Sequence, residues 1–341
     1  MGPHRRGGRD PDSAYDRSAM PAHPDALSLP PEQGRAAGRT VAAPGPVRAE
    51  REAAGRSGTS PVAVGRWAAG EVRADRDWVA AEEPLQVAVD GAPLAVVMRT
   101  PGSDLELVLG LLHAEGVVRG RNDVAGVRLS PSGQDELGGQ DLDVELLPET
   151  EGLVDVRLRR PLAGGVLGWQ RRLPSTSACG LCGATTLDAL ERTQRPVRGR
   201  DTWPIGLLHT LPARLRSRQA VFASTGGLHA AALVTGGGDL AAVCEDVGRH
   251  NAVDKLVGGA LMRDQLPLER FLLLVSGRAG FEIVQKATAA GIPLIAAVSA
   301  PTSLAVRASD RLGATLVGFL RDDRCNVYTH PFRVVPGPGP A

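Results

Sequence analysis

The chain has 341 residues, enough for two ordinary domains. With 43 % hydrophobic but only 3 % aromatic residues, any core must be aliphatic. A formal charge of +1 excludes a global electrostatic drive toward nucleic acid, and four cysteines exclude a disulfide framework and fit a reducing, cytoplasmic setting. No apolar run approaches ~18 residues free of charge, and the start Met1-Gly-Pro-His-Arg-Arg lacks any following apolar stretch, so neither a membrane span nor an export signal is expected.

Residues 1–64 are rich in Arg, Pro, Gly, Ala and Ser and offer too little apolar surface to offset ordering entropy, which predicts a disordered tail. Pattern begins near Val62. Two strands are predicted around an Asp90-Gly91 turn in the segment from Leu85 to Met98. Thr100-Pro-Gly-Ser-Asp then leads into a helix over Leu105 to His113, with Ser103 or Asp104 as its cap and Gly116 as its end. Val124–Leu129, Leu142–Leu147 and Leu153–Leu158 alternate like antiparallel strands, completing an α+β domain over 65–165. Residues 166–200 read as a mobile, glycine-bounded loop followed by a helix from Thr186.

A second domain is predicted over 201–336. A helix carries Leu207, Leu208, Leu211 and Leu215. Strand-like runs follow at Ala230–Val234, Leu240–Cys244, Phe271–Val275, Leu294–Val298 and Thr315–Phe319, the later ones separated by helical patterns at Asn251–Met262, Phe281–Ala290 and Thr302–Leu312. That alternation specifies an α/β architecture, a sheet with helices on both faces.

The densest chemistry is Ser175-Thr-Ser-Ala-Cys179-Gly-Leu-Cys182-Gly, which places half of the cysteines in one turn before a helical pattern. A helix starting near Gly183 would lower a thiol pKa through its amides and dipole. The spacing fits a metal half-site, a cycling disulfide, a persulfide carrier, or two small buried residues. The metal reading has a concrete form, because His113-Ala-Glu115 with Cys179-x-x-Cys182 resembles the zinc deaminase signature. Against it, Ala178 stands where that signature has proline, and His113 ends a helix, where the dipole favours a histidine.

Downstream blocks point to an anionic ligand. Thr225-Gly226-Gly227-Leu-His229 pairs glycines before a strand, for close ligand approach or for a bulge. Cys244-Glu-Asp-Val-Gly-Arg249-His250-Asn251-Ala-Val-Asp254-Lys255 sets ionisable groups between strand and helix, where α/β sheets bind ligands. Ser276-Gly277-Arg278 lies in a strand–turn–helix that can cradle phosphate without being a Walker loop. Ser299-Ala-Pro301-Thr302-Ser303 repeats that geometry, and Phe319-Leu320-Arg321-Asp322-Asp323-Arg324-Cys325-Asn326-Val-Tyr328 follows the last strand, as a phosphate- and base-reading segment or a surface turn. Lys255 and Lys286 are the only lysines, a scarcity that a biased genome accounts for, although both fall in these glycine-rich blocks, where an ammonium can serve. Together the strand ends indicate a large, nucleotide-like polyanion.

These motifs, in this order over about residues 65–335, resemble the formate dehydrogenase accessory sulfurtransferase family, whose N-terminal domain the Arg99-Thr-Pro-Gly-Ser-Asp and His113-Ala-Glu-Gly segments also fit. The resemblance implies a sulfurtransferase that accepts persulfide sulfur from a cysteine desulfurase and passes it to molybdenum bis(molybdopterin guanine dinucleotide) for formate dehydrogenase. It implies Cys179 as the carrier, Cys182 as its assistant, Phe319 to Arg324 as a cofactor-binding stretch, a homodimer, and a C-terminal domain similar to the cytidine deaminase fold. A non-catalytic cofactor chaperone is the other role compatible with these blocks. Cys325 departs from the expected pattern, as an inert thiol or a competitor for sulfur.

Overall fold

The computed structural model describes residues 58–130, 142–148, 152–162 and 194–338, all within one compact unit, Glu52–Ala341. Most of the predicted tail and the whole Cys179/Cys182 loop lie outside the described residues.

The described chain opens on a ribbon that the sequence does not announce. Strands β1 (Thr59–Ala68) and β2 (Glu71–Ala80) pair antiparallel from Thr59↔Ala80 to the tip, so β1 starts inside the segment 1–64. Ala69 and Gly70 at the tip both have positive φ, 52° and 84°, as a two-residue hairpin turn of this hand requires.

Next comes a five-stranded sheet in the order β4-β3-β7-β5-β6. β3 (Glu83–Val89) and β4 (Ala92–Arg99) form the expected hairpin around Asp90-Gly91. β5 (Val124–Leu129), β6 (Asp143–Leu146) and β7 (Leu153–Leu158) are not uniformly antiparallel: β5 pairs antiparallel with β7 but parallel with β6, and β7 runs parallel to β3. Alternation reports which face is buried and carries no information on strand direction. Helix α1 (Asp104–Ala114) covers the sheet, packing Leu105, Val108, Leu109 and Leu112 with Leu85, Val87, Val127, Val154 and Val156. Each such side chain contributes roughly 1.5–3 kcal/mol. Its cap differs from expectation. Ser103 sits at the N-cap with φ 57° and makes no capping bond, while the buried Asp104 carboxylate accepts two bonds from Arg99, at 2.8 and 2.9 Å.

The C-terminal half is a three-layer α/β arrangement. After β8 (Trp203–Pro204) come α2 (Ile205–Ser217), α3 (Ala220–Thr225), β9 (His229–Val234), β10 (Leu240–Asp246), α4 (Arg249–Met262), β11 (Leu272–Val275), α5 (Phe281–Ala289), β12 (Leu294–Ala297), α6 (Ser303–Arg311), β13 (Thr315–Gly318), β14 (Asn326–Thr329) and β15 (Val334–Val335), which pairs with β8. The main sheet has the order β10-β9-β11-β12-β13-β14, with β11, β12 and β13 parallel and β9 and β14 antiparallel to their neighbours. Alternate residues face opposite layers. Leu273, Val275, Ile295, Ala297 and Leu316 pack under α4, α5 and α6, whereas Leu272, Leu274, Leu294, Ala296 and Val317 meet Leu207, Leu208, Leu211 and Leu215 of α2.

The two halves meet along α1 and α4, where glycines let backbones touch. A Cβ on Gly110 would lie 2.0 Å from the Asp254 carbonyl oxygen, and one on Gly258 would lie 1.8 Å from that of Glu106. Only glycine permits such an approach. Buried ion pairs brace the same junction: Lys286 Nζ donates to both Asp254 oxygens at 2.8 Å, and Lys255 Nζ lies 2.8 Å from both Asp246 and the Thr100 carbonyl.

Candidate functional site at the C-terminal edge of the main sheet

Strand direction gathers the chemistry. β10, β11, β12 and β13 end, and β9 and β14 begin, at the same edge, as the register pairs Asp246↔His229, Val275↔Ala231, Val275↔Ala297 and Gly318↔Asn326 require. Such an edge is where α/β sheets bind ligands. Hydrogen bonds lace its loops together. Ala230 N donates to Ser276 Oγ at 2.9 Å, Ser299 N to the Gly277 carbonyl at 3.3 Å, and Phe319 N to the Ser299 carbonyl at 3.1 Å. Gly318 is needed for this closeness, since a Cβ there would sit 2.7 Å from Pro301 Cδ.

Several cationic side chains gather at this edge. A Cβ on Gly277 would lie 3.3 Å from His229 Nδ1 and 3.8 Å from Arg249 Cδ, which places all three residues in one cluster. Burial first, then the charges of Arg249, His250 and Arg278, push the His229 pKa down, so its imidazole is neutral among cations. Arg249 Nε is buried and has no hydrogen-bond partner among the described residues. Helices α4 and α5 begin after Gly248 and Gly280 without a side-chain cap, leaving amides and the positive dipole end for an anion, whereas Thr302 caps α6 by accepting from Ala305 N. His250 Nε2 lies 2.8 Å from Glu282, whose carboxyl is held below its usual range chiefly by that bond.

The fold therefore brings together His229, Arg249, His250, Ser276, Gly277, Arg278 and the Phe319–Arg324 turn, which Arg321 N closes by donating to the Arg324 carbonyl at 2.8 Å. Phe319 is a half-exposed aromatic at φ 52°, a left-handed conformation that costs a non-glycine residue about 1 kcal/mol or more. Arg321, Asp322, Asp323 and Arg324 are exposed. Gly226 and Gly227 lie just before β9, Gly226 ending α3 with φ 68°. Two expected ligand residues are turned to other work. Lys255 is buried and spends its ammonium on Asp246 and Thr100, and Leu320 is wholly buried in the core, leaving only its backbone at the edge.

Asp246 is the residue whose importance the sequence hides. Its buried carboxylate accepts from Thr100 N at 3.2 Å, Gly248 N at 2.8 Å and Asn251 Nδ2 at 2.8 Å, besides the Lys255 ammonium. It fixes the start of α4 and hence Arg249. Its Asp-x-Gly-x-x-Asn spacing was the available signal. His113 lies in the last turn of α1, as expected. Its ring nitrogens face the Val118 and Ala289 carbonyls at 3.0 and 3.2 Å, and burial lowers its pKa against the pull of those two bonds. Neither nitrogen is open to a metal in that setting.

Of the four cysteines, Cys179 and Cys182 lie outside the described residues. Cys244 packs against the α4 layer, and burial pushes its pKa to about 12. Cys325 packs against the α2 layer, and its pKa is also raised by burial. Both stay protonated at neutral pH and are poor nucleophiles. Among the described residues, no helix is long and apolar enough to cross a membrane.

Known proteins are similar to this chain. A model of the FdhD/NarQ family matches residues 80–335. "Sulfur carrier protein FdhD" of Nocardia farcinica is 47 % identical over 269 residues, covering 78 % of this chain and 91 % of that protein. The protein of the same name from Streptomyces coelicolor is 48 % identical over 270 residues, covering 78 % and 92 %. That from Sulfolobus acidocaldarius is 43 % identical over 258 residues, covering 76 % and 91 %. A crystal structure assigned as a formate dehydrogenase accessory protein from Desulfotalea psychrophila is similar in fold, with a TM-score of 0.63 at 21 % identity, over 82 % of this chain and 100 % of that one.

Proposed function

The chain belongs to the FdhD/NarQ family, and from that premise we propose that it is a cytoplasmic sulfurtransferase serving formate dehydrogenase. The donor is a cysteine desulfurase. The Cys179 thiolate attacks the terminal sulfur of the donor's persulfide, the donor's S–S bond breaks, and the donor leaves as a thiolate while Cys179 becomes a persulfide. The acceptor is molybdenum bis(molybdopterin guanine dinucleotide), bound as substrate. Delivery as sulfide needs two electrons. The Cys182 thiolate supplies them by attacking Cys179 Sγ, which forms a Cys179–Cys182 disulfide and releases hydrosulfide toward the metal. A cellular dithiol then reduces the disulfide.

The observation that carries the acceptor half is the sheet edge. Arg249 with its unpartnered Nε, Arg278, Arg321, the two open helix starts and the Phe319 ring fit a ligand with phosphates and a base. The raised pKa values of Cys244 and Cys325 support assigning sulfur transfer to Cys179 and Cys182. A dimer places two such edges in one particle, matching a ligand with two guanine dinucleotide arms.

The test is intact-mass analysis after incubation with a desulfurase and cysteine. One added sulfur atom, mapped to Cys179 and absent from Cys179→Ala, is expected. Sulfur on Cys244 or Cys325 instead, or full formate dehydrogenase activation by Cys179→Ala in cells, would overturn the assignment.

A further inference from the structure

The opposite end of β13 and β14 carries a cavity of about 830 Å³ lined by Val197, Arg198, Arg200, Gly313, His330, Phe332 and Arg333. It is separated from the edge described above by the length of a four-residue strand, about 13 Å. Arg333 is the unusual member. It is 3 % exposed, yet its guanidinium meets only neutral acceptors: the Gly199 carbonyl at 2.8 Å, the Gly313 carbonyl at 2.9 Å and Thr315 Oγ1 at 3.2 Å. A buried cation ordinarily has a counter-ion, and here none is found among the described residues. Its guanidinium carbon stacks 4.6 Å from the centre of the Phe332 ring, which faces solvent.

The other wall adds charge of the same sign. Arg198 and Arg200 are exposed and form no ion pair with described residues. His330 leans on Asp310, through its carbonyl at 2.9 Å and its carboxylate at 3.6 Å. Asp201, next to Arg200 in sequence, is turned to Arg270 at 3.8 Å. Three guanidinium groups thus line a space large enough for a small molecule, and no acid among the described residues lines it with them. Guanidinium forks match phosphoryl oxygens in geometry as well as in charge.

We propose that this cavity is a second ligand site, which takes a small phosphorylated anion. Arg198 and Arg200 grip the outer phosphoryl oxygens, and Arg333 supplies the inner charge that no carboxylate neutralises. The site is independent of the sheet edge that receives the cofactor.

The test is calorimetry with inorganic pyrophosphate on full-length chain carrying Arg278→Gln and Arg321→Gln, which weaken the sheet edge. That background is expected to bind pyrophosphate at one saturable site. Adding Arg198→Gln and Arg200→Gln is expected to weaken binding at least tenfold, with circular dichroism unchanged because both side chains are exposed. Arg333→Lys, which keeps the charge and loses the fork, is expected to weaken it less. Absence of saturable binding in the background, or binding untouched by the Arg198 and Arg200 changes, overturns the proposal. Either result leaves the sulfur-transfer reading standing, since that is read at Cys179.

Discussion

Gly258→Ala gives a sharp test of how the site is held. The added methyl would lie 1.8 Å from the Glu106 carbonyl oxygen, whereas a carbon–oxygen contact needs about 3.3 Å. The helices must therefore part by about 1.5 Å, in a junction where α4 is buried from Ala252 to Met262. Overpacking of this kind costs about 1–3 kcal/mol, occasionally more, and we expect the upper part because both surfaces are backbone and neither can rotate away. With an m-value near 3 kcal/mol/M, a loss of about 2–3 kcal/mol moves the urea midpoint down by roughly 0.7–1 M. The next residue provides the control. A Cβ on Gly259 meets nothing closer than the flexible Arg263 side chain at 3.4 Å, so Gly259→Ala should be neutral or gain up to about 1 kcal/mol in helix propensity. Because α4 starts at Arg249, Gly258→Ala should also weaken guanine nucleotide binding. Equal urea midpoints for the two variants would refute backbone contact between α1 and α4.

Other expectations concern charge and sulfur. Arg249→Gln should weaken binding of guanosine diphosphate, standing in for the cofactor's nucleotide arms, roughly 10- to 100-fold by calorimetry, the worth of one charged hydrogen bond. Cys244→Ala and Cys325→Ala should each leave persulfide loading intact, and iodoacetamide at pH 7.5 should spare Cys244, whose pKa stands at about 12. Lys286→Met strands the Asp254 carboxylate and should cost about 3–5 kcal/mol in urea unfolding, with much of that recovered by adding Asp254→Leu. His113 has a folded pKa below its unfolded value of about 6.5, so it binds fewer protons folded than unfolded. Its contribution is complete above the unfolded pKa and is lost as pH falls from there through the lower folded pKa, so the wild-type urea midpoint should drop below pH 7 more steeply than that of His113→Gln.

The main sheet was legible because its strands are apolar runs that end in Gly, Ser and charged residues, and the same punctuation marks the candidate ligand edge. The β1–β2 ribbon was not, because most of its residues on both faces are exposed, with Arg66, Arg73, Asp75, Arg76 and Asp77 interleaved among apolar residues, so no alternation marks it. Parallel pairing of β5 with β6 was hidden for the reason that pattern encodes faces and not direction. The ammonium of Lys255 was visible by type, but Asp246 and Thr100, which engage it in the folded chain, were not visible as its partners. The left-handed backbone at Phe319 is likewise a property of the folded chain that no local spacing reveals.

The grip of Asp246 on Thr100 sets an order of assembly. The two residues are 146 apart in sequence, and Lys255 reaches back 155 residues to the same carbonyl-bearing turn. Contacts of such separation form late, since the chain must close a long loop before it gains them. During synthesis the N-terminal sheet can close early, but the start of α4 cannot be fixed until residue 255 has left the ribosome. The candidate ligand edge is thus held in shape only once the first half of the chain is already in place. A truncated product that stops short of α4 would hold Gly226, Gly227 and His229 but none of the candidate site's residues from Arg249 onward.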